Sequence, residues 1–131
     1  MKLVLILMSI VKSVTKKKNI KKEIKFNIIN ELIIFSVQRF DPLLSVKNES
    51  VIIYDELIDL KPYSDDQITE KNLQYRLIGT IHHNENLKYG HYYSNIKIEN
   101  DWYEFNDSLV TKIKSFVDRS SNVCVLFYQK V

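Results

Sequence analysis

Three residues in the second half of the chain could together move a proton: His91, Asn106 and Asp107. Imidazole changes charge nearest to neutral pH, so a histidine held in one orientation can act as a general base. An amide or carboxylate on the next strand could supply that orientation by fixing the tautomer of the ring. His91 follows Gly90 directly and opens the run His91-Tyr92-Tyr93, while Asn106-Asp107 closes the run Trp102-Tyr103-Glu104-Phe105. The chain has only two glycines, Gly79 and Gly90, and both fall within residues 75–110. Gly90 suits a bend, because glycine takes positive φ without steric penalty and lets another backbone approach closely.

Two further groups could do chemistry. His82 and His83 suggest a metal site together with His91, but adjacent strand residues point to opposite faces and cannot easily share one ion. No CxxC pair or carboxylate completes such a site, so zinc is rejected. Cys124 is the single cysteine, which excludes an internal disulfide and fits a reducing compartment. It lies in the apolar run Val123-Cys124-Val125-Leu126-Phe127-Tyr128, where a thiol is expected to be buried and inert rather than nucleophilic.

The elements that must position these groups read mainly as strands. Alanine is absent, and isoleucine and tyrosine are abundant, a balance that favours sheet over helix. With 131 residues, 45% of them hydrophobic, the chain is one globular-sized unit with enough apolar material for a core. Residues 32–40 form a continuous apolar strand pattern that Asp41-Pro42 ends. A loop over 43–50, a short strand over 51–54 and a turn over 61–66 follow. Residues 75–83, 91 onward and 102–106 then read as three successive strands. If His91 and Asn106 face each other, the second hairpin turns at Ile98-Glu99; the better turn dipeptide, Asn100-Asp101, would set Val110 opposite His91 instead. A four-residue loop or a β-bulge could reconcile the two.

The net charge of +3 hides an uneven distribution. Residues 1–40 carry nine basic and two acidic side chains, residues 41–70 two and eight, and residues 71–131 eight and six. Six lysines fall within residues 16–25 with no aromatic residue among them, which reads as a solvated arm rather than a nucleic-acid surface. Residues 1–11 are apolar after Lys2, too short to span a bilayer and without a small-residue cleavage site, so a buried strand is preferred to a signal peptide. Residues 24–29 could form a further short strand. The domain division expected is an apolar and basic segment over 1–31 and one unit over 32–131.

Taken together, Tyr75/Leu77/Gly79/His83, Gly90-His91-Tyr92, Trp102/Phe105/Asn106/Asp107/Val110 and Leu126-Phe127-Tyr128 resemble the histidine box of the ubiquitin-specific proteases, cysteine peptidases that remove ubiquitin from proteins. The likeness extends upstream to the strand ending in Arg39-Phe40 and to Asp59-Leu60 with Tyr63, so it covers about residues 32–131. A lone histidine opening a strand is most often structural; its ordered neighbours change that reading. The resemblance implies an α+β papain-like fold, of which this chain would be the C-terminal, mainly antiparallel portion. It implies that His91 deprotonates a cysteine thiol, that Asn106 orients the ring, and that Asp107 is the adjacent acidic partner. Asp107 as a plain turn residue is the competing reading. His83, Gly90 and Tyr92 would lie on the substrate-binding side, where the loops over 43–50 and 83–89 would flank the channel.

The partner so implied is ubiquitin or a ubiquitinated protein, with no cofactor, nucleic acid or membrane, in the cytoplasm or nucleus. The family's nucleophile opens a helix in an N-terminal lobe that has no counterpart here, so a separate chain or missing lobe would have to carry it. That lobe normally covers one side of the sheet, so an exposed apolar face is expected. Three readings stay open: part of a true protease, a non-catalytic ubiquitin-binding remnant, and an unrelated small basic β-domain.

Overall fold

The computed structural model describes residues 4–8 (as backbone), 25–26, 29–41, 43, 46–84 and 89–131. Most of the basic run over 16–25, and with it half of the possible strand over 24–29, lies outside the described residues; Phe26 forms a single parallel bridge to Ser64. The elements are β1 (Val4–Met8), β2 (Leu32–Val37), β3 (Phe40–Asp41), β4 (Val46–Lys47), β5 (Ile52–Ile53), β6 (Leu57–Asp59), a 3-10 turn over Lys61–Tyr63, β7 (Gln74–Asn84), β8 (His91–Ile98), β9 (Asp101–Asn106), β10 (Leu109–Ile113), β11 (Arg119–Ser120) and β12 (Val123–Lys130).

Eight strands make one sheet in the order β1-β2-β12-β7-β8-β9-β10, with β6 alongside β7. Its pairs are antiparallel except β1 with β2. Val4–Met8 therefore belongs to the main sheet. At the centre, β7 has the sequence that a fully covered strand needs: Tyr75, Leu77, Gly79, Thr80 and His82 are buried. Leu73, Tyr75, Leu77, Trp102, Val123, Leu126 and Tyr128 form the core, with Ile33, Tyr54 and Leu60. Phe35 meets Tyr128 edge-on at 5.7 Å, and Trp102 packs on Phe116 at 5.4 Å.

The opposite face is only half covered. Along β8, Tyr92, Ile96 and Ile98 alternate outward and are exposed, and Val110 on β10 extends the patch. A run of this kind on a sheet face is the character of an interaction surface.

The strand pattern over 32–40 is interrupted. β2 stops at Val37 and β3 begins at Phe40, because Arg39 turns inward. Arg39 is 6% exposed, and its guanidinium donates to the carbonyls of Val123 (2.6 Å), Ser50 (2.8 Å), Asn48 (2.9 Å) and Ser120 (3.1 Å). A buried cation survives only when its donors are filled, and here four backbone acceptors fill them. The loop expected over 43–50 contains β4, which pairs with β3 beside this clamp.

Replacing Arg39 with Ala leaves four carbonyls without their donor. Unfolding in urea should then show a loss of at least ~3 kcal/mol; a loss below ~1 kcal/mol would mean that water substitutes for the guanidinium.

Candidate active site

Two tight hairpins bring His91, Asn106 and Asp107 together. β8 and β9 pair through Ser94 with Phe105 down to Ile98 with Asp101, so the turn is Glu99-Asn100. β9 and β10 pair from Asn106 with Leu109, which makes Asp107-Ser108 the next turn. The first residue of each turn has positive φ, 56° at Glu99 and 52° at Asp107, as two-residue hairpins require. His91 and Asn106 thus do not stand directly opposite, as a turn at Ile98-Glu99 would have put them. His91 lies one side-chain repeat beyond the residue facing Asn106, on the same face. Diagonal neighbours of this kind are within reach of long side chains. The β8–β9 ladder runs without a bulge.

The ring reaches its partner: His91 Nε2 lies 2.6 Å from Asn106 Oδ1. An amide oxygen only accepts, so Nε2 carries the proton and Nδ1 is left with its lone pair. Asp107 Oδ2 is 3.9 Å from the same Nε2, and the side chain of Asp107 is 80% exposed against 40% for His91. Solvent screens so open a charge, so Asp107 contributes a weak field beside a direct hydrogen bond from Asn106. Asp107 is at once the turn residue and the acidic neighbour.

His83 and Gly90 meet on the opposite face of the β7–β8 hairpin from this pair. A Cβ added to Gly90 would sit 1.7 Å from His83 Nε2. Gly90 has no positive φ, so the expectation of a left-handed bend is replaced by a contact argument: the His83 ring, not a backbone, occupies the space. His83 also packs on Tyr92, its cross-strand partner, with ring centroids 4.5 Å apart. Tyr92 itself is 63% exposed.

His82 lies on the same face as His91, facing Tyr93, and has a different character. It is 3% exposed, stacks on Tyr93 at 4.8 Å, and contacts Thr80 Oγ1 at 2.8 Å and Ser120 Oγ at 3.3 Å. Burial, and then the nearby Arg39 charge, push its titration down from 6.5 to about 4. His82 is a neutral core residue. Among the described residues no group of three or more His, Cys, Asp or Glu could hold a metal ion.

Cys124 sits where the β12–β7 ladder shifts register, and its Sγ donates to the Ile81 carbonyl at 3.2 Å. Burial raises its titration above the usual thiol value, although Arg39 and Lys47 oppose that shift. β7 lies between its strand and that of His91. The residues that the sequence missed are Arg39 in its clamping role, Lys47 and Asn122; key partners of each lie far along the chain, which no local pattern announces.

The sheet order and the histidine–amide pair at its end define the class of fold: the C-terminal, mainly antiparallel portion of a papain-like peptidase fold. The model of the ubiquitin carboxyl-terminal hydrolase family matches residues 5–128, and the chain belongs to that family. It is 29% identical over 131 residues to ubiquitin carboxyl-terminal hydrolase 7 of Saccharomyces cerevisiae, covering 88% of this chain and 12% of that protein. It is 34% identical over 103 residues to the probable ubiquitin carboxyl-terminal hydrolase R319 of Acanthamoeba polyphaga mimivirus, covering 74% of this chain and 22% of that one. The chain therefore spans less than a quarter of these relatives' lengths. Among solved structures, a yeast SAGA DUB module superposes with a TM-score of 0.72 at 27% identity, over 82% of this chain and 26% of the other. The SAGA DUB module bound to monoubiquitin superposes with a TM-score of 0.69 at 25% identity, over 82% and 25%.

Acidification tests the assignment of His82. Between pH 6.5 and about 4 the unfolded chain binds a proton that the folded chain excludes, so stability falls as pH drops through that window. His82→Gln should remove this part of the slope in urea midpoints measured from pH 7 to 4. An identical slope in the variant would show that His82 is protonated while folded.

Proposed function

We propose that this chain, over residues 32–131, supplies the histidine half of a deubiquitinating cysteine peptidase that hydrolyses the bond after the C-terminal glycine of ubiquitin. The observation that carries the reading is the His91–Asn106 hydrogen bond, which leaves Nδ1 as a base. Family membership gives the reaction class. The thiol comes from outside these 131 residues, because Cys124 is held against Ile81 on another strand and its thiol form is favoured.

In this scheme His91 Nδ1 takes the proton of the incoming thiol, and the thiolate attacks the glycine carbonyl carbon. The imidazolium then returns that proton to the leaving amine as the C–N bond breaks, which leaves a thioester. A water molecule loses a proton to Nδ1 and attacks the thioester, and the thiol is released protonated. Asn106 keeps the proton on Nε2 throughout, and Asp107 adds a screened negative charge when the ring is cationic. His83, Gly90 and Tyr92, on the other face of β8, are assigned to substrate binding, with the exposed Tyr92 ring available to ubiquitin.

The chain alone should release no fluorophore from a ubiquitin fluorogenic substrate. Activity should appear on adding the cysteine-bearing portion of a relative such as hydrolase 7, and His91→Ala should lower it by about 10²- to 10⁴-fold, with Asn106→Ala reducing kcat less. Turnover by the chain alone that Cys124→Ala abolishes would overturn the division of labour. Ubiquitin binding without complementable turnover would instead identify a binding remnant.

A further inference from the structure

The ladder between β12 and β7 ends at Val123 with His82. His83 and Asn84 lie beyond it, yet Asn84 is the cross-strand partner of His91. On its β12 side, this last stretch of β7 has no further strand pairing. Asn122 takes over there. Its backbone carbonyl accepts from the His83 N–H at 2.9 Å, and its side-chain Nδ2 donates to Asn84 Oδ1 at 2.6 Å.

Asn122 is itself fixed from two sides. Its N–H donates to Ser120 Oγ at 3.0 Å, as does that of Val123 at 3.1 Å. With both lone pairs engaged, the Ser120 hydroxyl proton points to Nδ1 of the buried His82. From the β3–β4 hairpin, Lys47 Nζ donates to the His83 carbonyl at 2.5 Å and approaches Asn122 Oδ1 at 3.5 Å. Asn122 thus uses its main-chain N–H and C=O and both ends of its amide. Aspartate would lack the donor to Asn84, and alanine would lack both side-chain contacts.

We propose that Asn122 is a positioning residue: it stitches His83 and Asn84 to the turn before β12 and so holds the first residue of β8, His91, where its ring meets Asn106. The catalytic consequence rests on His91 being the base. The stitch lengthens the β12–β7 ladder with a side chain where the strand itself has run out. It also joins the β3–β4 hairpin to the segment that leads into Gly90 and His91.

The test is made on the whole ¹⁵N-labelled chain at pH 8. In the wild type, the two His91 ring nitrogens should give the widely separated shifts of an Nε2–H tautomer. In Asn122→Ala those shifts should move toward each other. Amide exchange at residues 91–93 should accelerate about tenfold, the effect of losing one hydrogen bond, while the β9–β10 hairpin amides stay unchanged. Asn84→Leu, which removes only the acceptor, should reproduce both effects, and Asn84→Asp, which keeps an acceptor, should restore wild-type behaviour. Should Asn122→Ala unfold the sheet, the Asn84 pair reads the same link. Unchanged His91 shifts and exchange in Asn122→Ala and Asn84→Leu would overturn the proposal. A wild-type His91 with its proton on Nδ1 would instead overturn the catalytic reading, and the exchange data would still judge the stitch.

Discussion

A guanidinium removed from water sets the terms for the half of the sheet that carries the site. Arg39 can be buried only because four carbonyls from residues 48–50 and 120–123 converge on it. Two of the acceptors lie 81 and 84 residues from Arg39 along the chain, so the clamp fixes the β3–β4 region against the start of β12. Its charge also acts at a distance. Together with burial it keeps His82 neutral, and it partly offsets the burial that disfavours the Cys124 thiolate. Burial holds both side chains uncharged, with the Arg39 charge helping at His82 and opposing at Cys124.

The site is built from local and distant parts. Two two-residue turns deliver Asn106 and Asp107 to His91 within the meander from His91 to Ile113, and little beyond backbone geometry is needed. The orientation of β7 and β8 at their free ends depends on contacts from far along the chain, namely Lys47 and Asn122. His91, Asn106 and Asp107 are thereby brought together within this chain, while the apolar face of β8 and β10 stays exposed.

Much of this was legible in the sequence, for physical reasons. Alternating apolar residues located β7, β8, β9 and β12, because one face of each is buried. The hairpin register was not legible. Turns at Ile98-Glu99, Glu99-Asn100 or Asn100-Asp101 differ by steps that leave every side chain on the same face, so the apolar pattern cannot choose among them. Turn preference pointed to Asn100-Asp101, yet Glu99 accepts the positive φ. Gly90 was singled out correctly and explained wrongly, since the constraint is the His83 ring rather than φ. The inward turn of Arg39 was hidden because its acceptors are backbone carbonyls, which every residue carries.

The register shift at Cys124 has a practical consequence. A thiol that gives its hydrogen to a main-chain carbonyl inside the sheet presents little sulfur anion to an electrophile at neutral pH. Ubiquitin-derived warheads, which capture deubiquitinases by alkylating a reactive sulfur, would therefore pass this polypeptide by. A survey that depends on labelling such a sulfur would not register these 131 residues.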